Sequence, residues 1–131
     1  MTRPYAPLDH CSLAVADLGA AARFYDAALA PLALVRAKSA DKAIGYGRGH
    51  PVFWIIECPP EGRARPGLGL HVCLGAESRA AVDAFHRAAL AHGGKDNGAP
   101  GPRPQYHAHY YGAFVLDPDG NKLGAVCHRP E

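Results

Sequence analysis

The chain has 131 residues, of which 48% are apolar and 20% charged, with a net charge of +2 when histidine is neutral. This composition supports one ordinary folded unit and predicts a single domain over residues 1–131. The positive charge is too small and too dispersed for a nucleic-acid surface. No apolar run reaches the roughly 18 residues of a membrane span, and Met1 to Leu8 lack the charged-then-apolar pattern of a signal peptide, so a cytoplasmic protein is expected.

In chain order, Leu8 to Val15 reads as a strand, with His10, Ser12 and Ala14 on one face and Cys11, Leu13 and Val15 on the other. Asp17 stands where a helix N-cap belongs, and Leu18, Ala21, Ala22, Tyr25 and Leu29 follow at helical spacing up to Pro31. Leu32 to Arg36, Ala43 to Tyr46 and Val52 to Glu57 read as three strands. Pro59 to Pro66 divides the halves; Arg63 and Arg65 within it are the nearest approach to a basic patch and read as solvated.

The second half repeats the order. Leu70 to Leu74 is a strand with His71 and Cys73 on one face. Ser78 caps a helix that runs to about His92 and stops at Gly93-Gly94. Gly93 to Pro104 is long for a loop in a compact domain, and such segments are often lids or disordered. Strands follow over about His107 to Leu116 and over Lys122 to Cys127. Asp117-Pro118-Asp119-Gly120 joins them as a type I turn. Cys11, Cys58, Cys73 and Cys127 contain no Cys-x-x-Cys pair and read as free thiols.

A shift of 61 residues places His10 on His71, Asp17 on Ser78, Phe24 on Phe85 and Phe53 on Phe114. The shared register predicts a duplicated βαβββ unit, with module 1 at about 7–58 and module 2 at about 68–128. Two such modules related by a pseudo-twofold axis would bring the two strand histidines to one cavity, as half of a metal site.

Three segments carry a family resemblance. LDHCSLAVADLGAAARFYDAALAPLAL, GLGLHVCL and YYGAFVLDPDGNKLGAVCH together resemble the vicinal oxygen chelate superfamily, which includes glyoxalases, bleomycin resistance proteins and extradiol dioxygenases. The resemblance implies an α+β fold: two tandem βαβββ modules forming a curved, cup-shaped mixed sheet with the helices outside. It implies one divalent ion (Zn, Fe, Mn or Ni) held by His10, His71 and a last-strand Glu. Counted from the turn, that Glu falls on Gly124, so the triad lacks its third ligand.

The leading expectation is therefore a lyase, isomerase or dioxygenase acting on a small oxygen-rich molecule in the cup, with glyoxalase I chemistry itself doubtful. The alternative is a metal-free small-molecule-binding or drug-sequestering protein of the bleomycin-resistance type, and a third reading is a degenerate enzyme. Glu57 is the candidate catalytic carboxylate. Trp54, Cys73, His107, His109 and Tyr111 are candidate substrate contacts; Tyr106 and Tyr110 belong to the same aromatic group, and His128 shares strand parity with Gly124. The resemblance also implies a homodimer. A Glu placed at 124 is expected to restore the metal site.

Overall fold

The computed structural model describes residues 5–62 and 69–130; Arg63 and Arg65 lie outside them. Strand β1 (Cys11–Val15) is followed by α1 (Leu18–Leu29), a short 3-10 turn (Ala30–Leu32), β2 (Val35–Ser39), β3 (Ala43–Gly47) and β4 (Pro51–Glu57). The second half has β5 (Val72–Gly75), α2 (Arg79–Ala91), the short strands β6 (Lys95–Asp96) and β7 (Gly101–Pro102), β8 (Tyr111–Leu116) and β9 (Lys122–Cys127). Both helix starts are capped as the sequence predicts. Asp17 Oδ1 accepts from the Ala20 N–H at 2.9 Å, and Ser78 Oγ accepts from the Ala81 N–H at 3.0 Å.

The two halves share one topology. In the first sheet the order is β1-β4-β3-β2, and in the second β5-β9-β8-β6, with β7 also on β8. In each, the opening strand pairs parallel to the last, and the last pairs antiparallel to its predecessor. Gly93 to Pro104 is thus not a free loop: β6 and β7 pin it to the edge of β8. Leu32, expected in a strand, closes the 3-10 turn instead, and β2 begins at Val35. His107 to Tyr110 precede β8 as turns.

Alternation decides which side of each sheet is covered. Val15, Phe53, Ile55, Ile44 and Tyr46 face the core beside α1, whereas Val115, Ala113, Leu123 and Ala125 face it beside α2. The helices also pack against each other, so one continuous core joins both modules. Each helix covers one face of its own sheet, and the other face of each sheet is left open. The open faces carry Ser12 and Trp54 in the first sheet, and Cys73, Phe114, Lys122 and Gly124 in the second.

The β8–β9 turn clamps the modules together. Gly120, at φ +89°, donates its N–H to Asp117 O at 2.9 Å, closing the turn. Asp117 is buried, and its Oδ2 accepts from the Tyr25 hydroxyl at 2.6 Å and from Asn121 Nδ2 at 3.0 Å. Asn121 Nδ2 also donates to Ala14 O, and the Ala16 N–H donates to Asp119 Oδ1. No helix among the described residues is long and apolar enough to cross a membrane.

Candidate functional site

The main cavity lies on the open face of the second sheet and measures about 610 Å³, within the range of small-molecule sites. Its floor comes from strand parity. Phe114 on β8 and Lys122 on β9 project there, with His71 just ahead of β5 and His128 just after β9. Its wall comes from the segment around β7: Asn97, Gly98 and Arg103, then Tyr106, His107 and Tyr110.

The lining is aromatic and cationic, and no carboxylate is among its described residues. The Phe114 ring stands edge-on to His71, 5.9 Å between centroids, and Lys122 Nζ lies 5.0 Å from the Phe114 centroid. His107 and His128 stack at 5.0 Å, with His107 Nε2 and His128 Nδ1 2.8 Å apart. Tyr110 packs edge-on against both. Arg103 is tied down by loop carbonyls: Nη1 donates to Gly101 O and Nη2 to Ala99 O, each at 2.8 Å.

Gly124 explains why the floor has this shape. It sits on β9 opposite Phe114 and beside Cys73. A Cβ added there would lie 2.6 Å from Phe114 Cδ1 and Cε1, so the ring covers the glycine. The expectation that a Glu at 124 would simply complete a triad is corrected here: the space is filled by an aromatic ring. The first sheet inverts the arrangement. Trp54 lies on the strand equivalent to β9, and its ring covers Gly45 on β3, where an added Cβ would lie 2.8 Å from Cε2.

The candidate residues scatter. His71 and His107 line the cavity, but His10 does not. His10 is exposed on the first module, with Nδ1 2.6 Å from Asp9 Oδ2. Among the described residues no group of three or more His, Cys, Asp and Glu is placed to hold a metal. Within one chain the residues therefore do not fit the family's ion: the His pair is divided between two sheets, the carboxylate is absent, and an ammonium stands over the Phe114 ring.

Glu57 serves the fold. Its Oε2 accepts from the Leu18 N–H at 2.8 Å, at the start of α1, and its Oε1 accepts from Lys42 Nζ at 2.9 Å. Those contacts, the Leu18 bond first, lower its carboxyl pKa and leave both oxygens engaged. Tyr111 is also corrected. Its hydroxyl donates to Asp83 on α2 at 2.6 Å and its ring lies beneath Arg79, so it belongs to the core side of β8. His109 is exposed outside the cavity and donates its backbone N–H to His107 Nδ1. Cys73 is on the open face as parity predicts, but desolvation raises its thiol pKa, partly offset by a hydrogen bond with Tyr110, so it rests protonated. No disulfide joins cysteines among the described residues.

Lys122, Arg103 and Phe114 are the site residues that the sequence reading passed over. Two of them were within reach. Counting the ladder outward from the turn pairs Leu116 with Lys122 and Phe114 with Gly124, and parity then puts Lys122 and Phe114 on the face of Gly124. Arg103 had no comparable signal, because its place depends on how the preceding segment docks on β8.

Comparison with known proteins supports the same framework. The family model described as Glyoxalase/Bleomycin resistance protein/Dioxygenase superfamily matches residues 7–124. A glyoxalase/bleomycin resistance protein from Albidiferax ferrireducens T118 is 32% identical, with a TM-score of 0.83 over 93% of this chain and 99% of that one. A glyoxalase/bleomycin resistance protein/dioxygenase family enzyme from Burkholderia phytofirmans PsJN is 18% identical, with a TM-score of 0.71 over 95% and 100% of the two chains. The fosfomycin resistance protein FosX from Listeria monocytogenes is 17% identical, with a TM-score of 0.69 over 96% of each chain. The latter two likenesses show the fold alone. No curated protein sequence matches the chain. The matched family model, the sheet order common to both halves and the 32% identical structure agree: the chain belongs to the glyoxalase/bleomycin resistance protein/dioxygenase superfamily.

Proposed function

We propose that this protein binds a small molecule on the open face of its second sheet without a family-type divalent metal. The observation that carries the reading is the cavity lining: aromatic rings and cations, no carboxylate, and a ring over Gly124. Such a surface is suited to holding a flat molecule by stacking and edge contacts. The test is amide NMR with neutral naphthamide as probe. Shifts clustered at Asn97–Gly98, Arg103–Tyr110 and Lys122–His128 are expected; no binding, or shifts elsewhere, overturns the reading.

The placement of His10 and His71 outside the core favours a second reading. In it, two copies of the chain bring the open face of one first sheet over the open face of the other's second sheet. Zn, Fe, Mn or Ni would then join the two histidines, supporting lyase, isomerase or dioxygenase chemistry on an oxygen-rich substrate. We propose the homodimer under either reading, with sedimentation velocity as its test. A thermal shift with Zn or Mn that disappears in both His10→Ala and His71→Ala would favour the second reading over the first. The absence of a disulfide among the described residues accords with a reducing, cytoplasmic setting.

A further inference from the structure

We propose that Lys122 is the charge anchor of this cavity, and that the cavity's ligand is a flat aromatic molecule bearing a single carboxylate. The inference rests on the binding reading above and deepens it. Lys122 is half-buried, it lines the cavity, and its ammonium lies 5.0 Å from the centroid of Phe114. Among the described residues it has no carboxylate partner. Three other cations are each paired with a carboxylate: Arg36 with Asp26, Lys42 with Glu57 and Arg48 with Glu77. Lys122 and Arg103 instead share a concave, carboxylate-free space, in which low-dielectric walls concentrate their field on whatever enters.

The geometry also narrows the anion. Both terminal nitrogens of Arg103 already donate to the carbonyls of Ala99, Gly101 and Pro102. These bonds engage three of the five guanidinium N–H groups and hold Arg103 against its own segment, where it acts mainly as a fixed positive charge. Lys122 is the mobile cation beside it, and one ammonium suits one carboxylate. The rest of the ligand is set by the rings beside it. Phe114 and His71 stand edge to face on the floor, and Tyr106 and Tyr110, 4.9 Å apart, form the wall. A flat ring seated there keeps water from the ammonium, which strengthens its bond to the carboxylate. Gly124 is part of the same design: with no side chain there, the Phe114 ring lies flat on β9 and Lys122 passes over it.

The test is isothermal titration of naphthoate and of neutral naphthamide with the same ring substitution, into the parent and into Lys122→Met, Lys122→Gln and Lys122→Arg. A charge-assisted hydrogen bond corresponds to roughly ten- to hundredfold in affinity. Naphthoate is expected to bind the parent at least about tenfold more tightly than naphthamide. That preference is expected to vanish in the Met and Gln variants and to persist in the Arg variant, with circular dichroism confirming folding. Equal affinity for the two probes in the parent, or a preference that survives both neutral variants, overturns the anchor while leaving the binding site standing. Failure of both probes to bind the parent overturns the site reading and the anchor together.

Discussion

A methyl group on Gly124 would sit 2.6 Å from the ring of Phe114, well inside contact distance. The two residues are cross-strand partners, and the ring is half-buried against the floor of the cavity. Gly124→Ala is therefore expected to cost about 1–3 kcal/mol, the usual range for overpacking. Phe114→Ala combined with Gly124→Ala should be less destabilised than the two single changes predict by addition, because the clash needs both groups. Urea unfolding of the four proteins checks this. Strict additivity would mean that the ring swings away freely.

The same contact governs an attempt to install a metal ligand. Gly124→Glu alone is expected to lower stability and to gain no thermal shift from Zn or Mn over that of the parent. The ring must move before a carboxylate fits, and Lys122 competes with a dication for it. Differential scanning fluorimetry with and without metal measures both effects.

Tyr25 and Asp117 join the first helix to the last turn. Burial, and then the charge of Asp117, push the Tyr25 hydroxyl well above its ordinary pKa, so it remains a donor throughout the working pH range. Tyr25→Phe removes a bond to a buried carboxylate and is expected to cost about 1.5–3 kcal/mol. Asn121 still donates to the same oxygen, which limits the loss. Denaturant unfolding should show a lower midpoint with an unchanged slope.

Asp26 gives the acid side of the stability curve. Hydrogen bonding from Arg36, helped by the Tyr46 hydroxyl, lowers its pKa from 3.8 despite opposing desolvation. Because the folded-state value is depressed, the contribution is present above the ordinary carboxyl range and is lost as pH falls through the lowered value. The stability gap between the parent and Asp26→Asn should therefore be constant near neutrality and shrink below about pH 4. Thermal melts across that range, at fixed ionic strength, test it.

Glu57 separates structural from chemical roles. Glu57→Gln is expected to lower the melting temperature, since it weakens the contact to the Leu18 N–H and removes the ion pair with Lys42. It should leave naphthamide affinity unchanged, because Glu57 is not part of the main cavity. A change in affinity without a change in melting temperature would contradict this assignment.

Much of the architecture was legible because it rests on local rules. Asp17 and Ser78 announce helix starts, Asp117 to Gly120 announces a hairpin, and alternation sorts Cys11, Leu13 and Val15 from Ser12 and Ala14. The repeat was legible through the helices but not through the last strands. The constant shift matched Phe53 with Phe114. The sheets pair Phe53 with Cys11 on β1 and Leu123 with Val72 on β5, which makes Leu123 the counterpart of Phe53. The second module has a longer connection between its helix and its last two strands, so one shift cannot serve both. Of the candidate residues, His71 and His107 line the cavity. Tyr111 and Glu57 misled because a side chain's type does not say whether it faces the core: Tyr111 alternates toward α2, and Glu57 bends to the helix start. Lys122 was missed because a lone lysine usually reads as solvated surface.

The clamp between Tyr25 and Asp117 also fixes an order of events as the chain is made. The partners are 92 residues apart, and Asn121 reaches back to Ala14 across 107. Until the β8–β9 hairpin leaves the ribosome, α1 exists without the acceptor for its buried hydroxyl. The first module alone therefore carries a buried donor and an apolar helix surface that only the second module satisfies, which ties its stability to the arrival of β8 and β9.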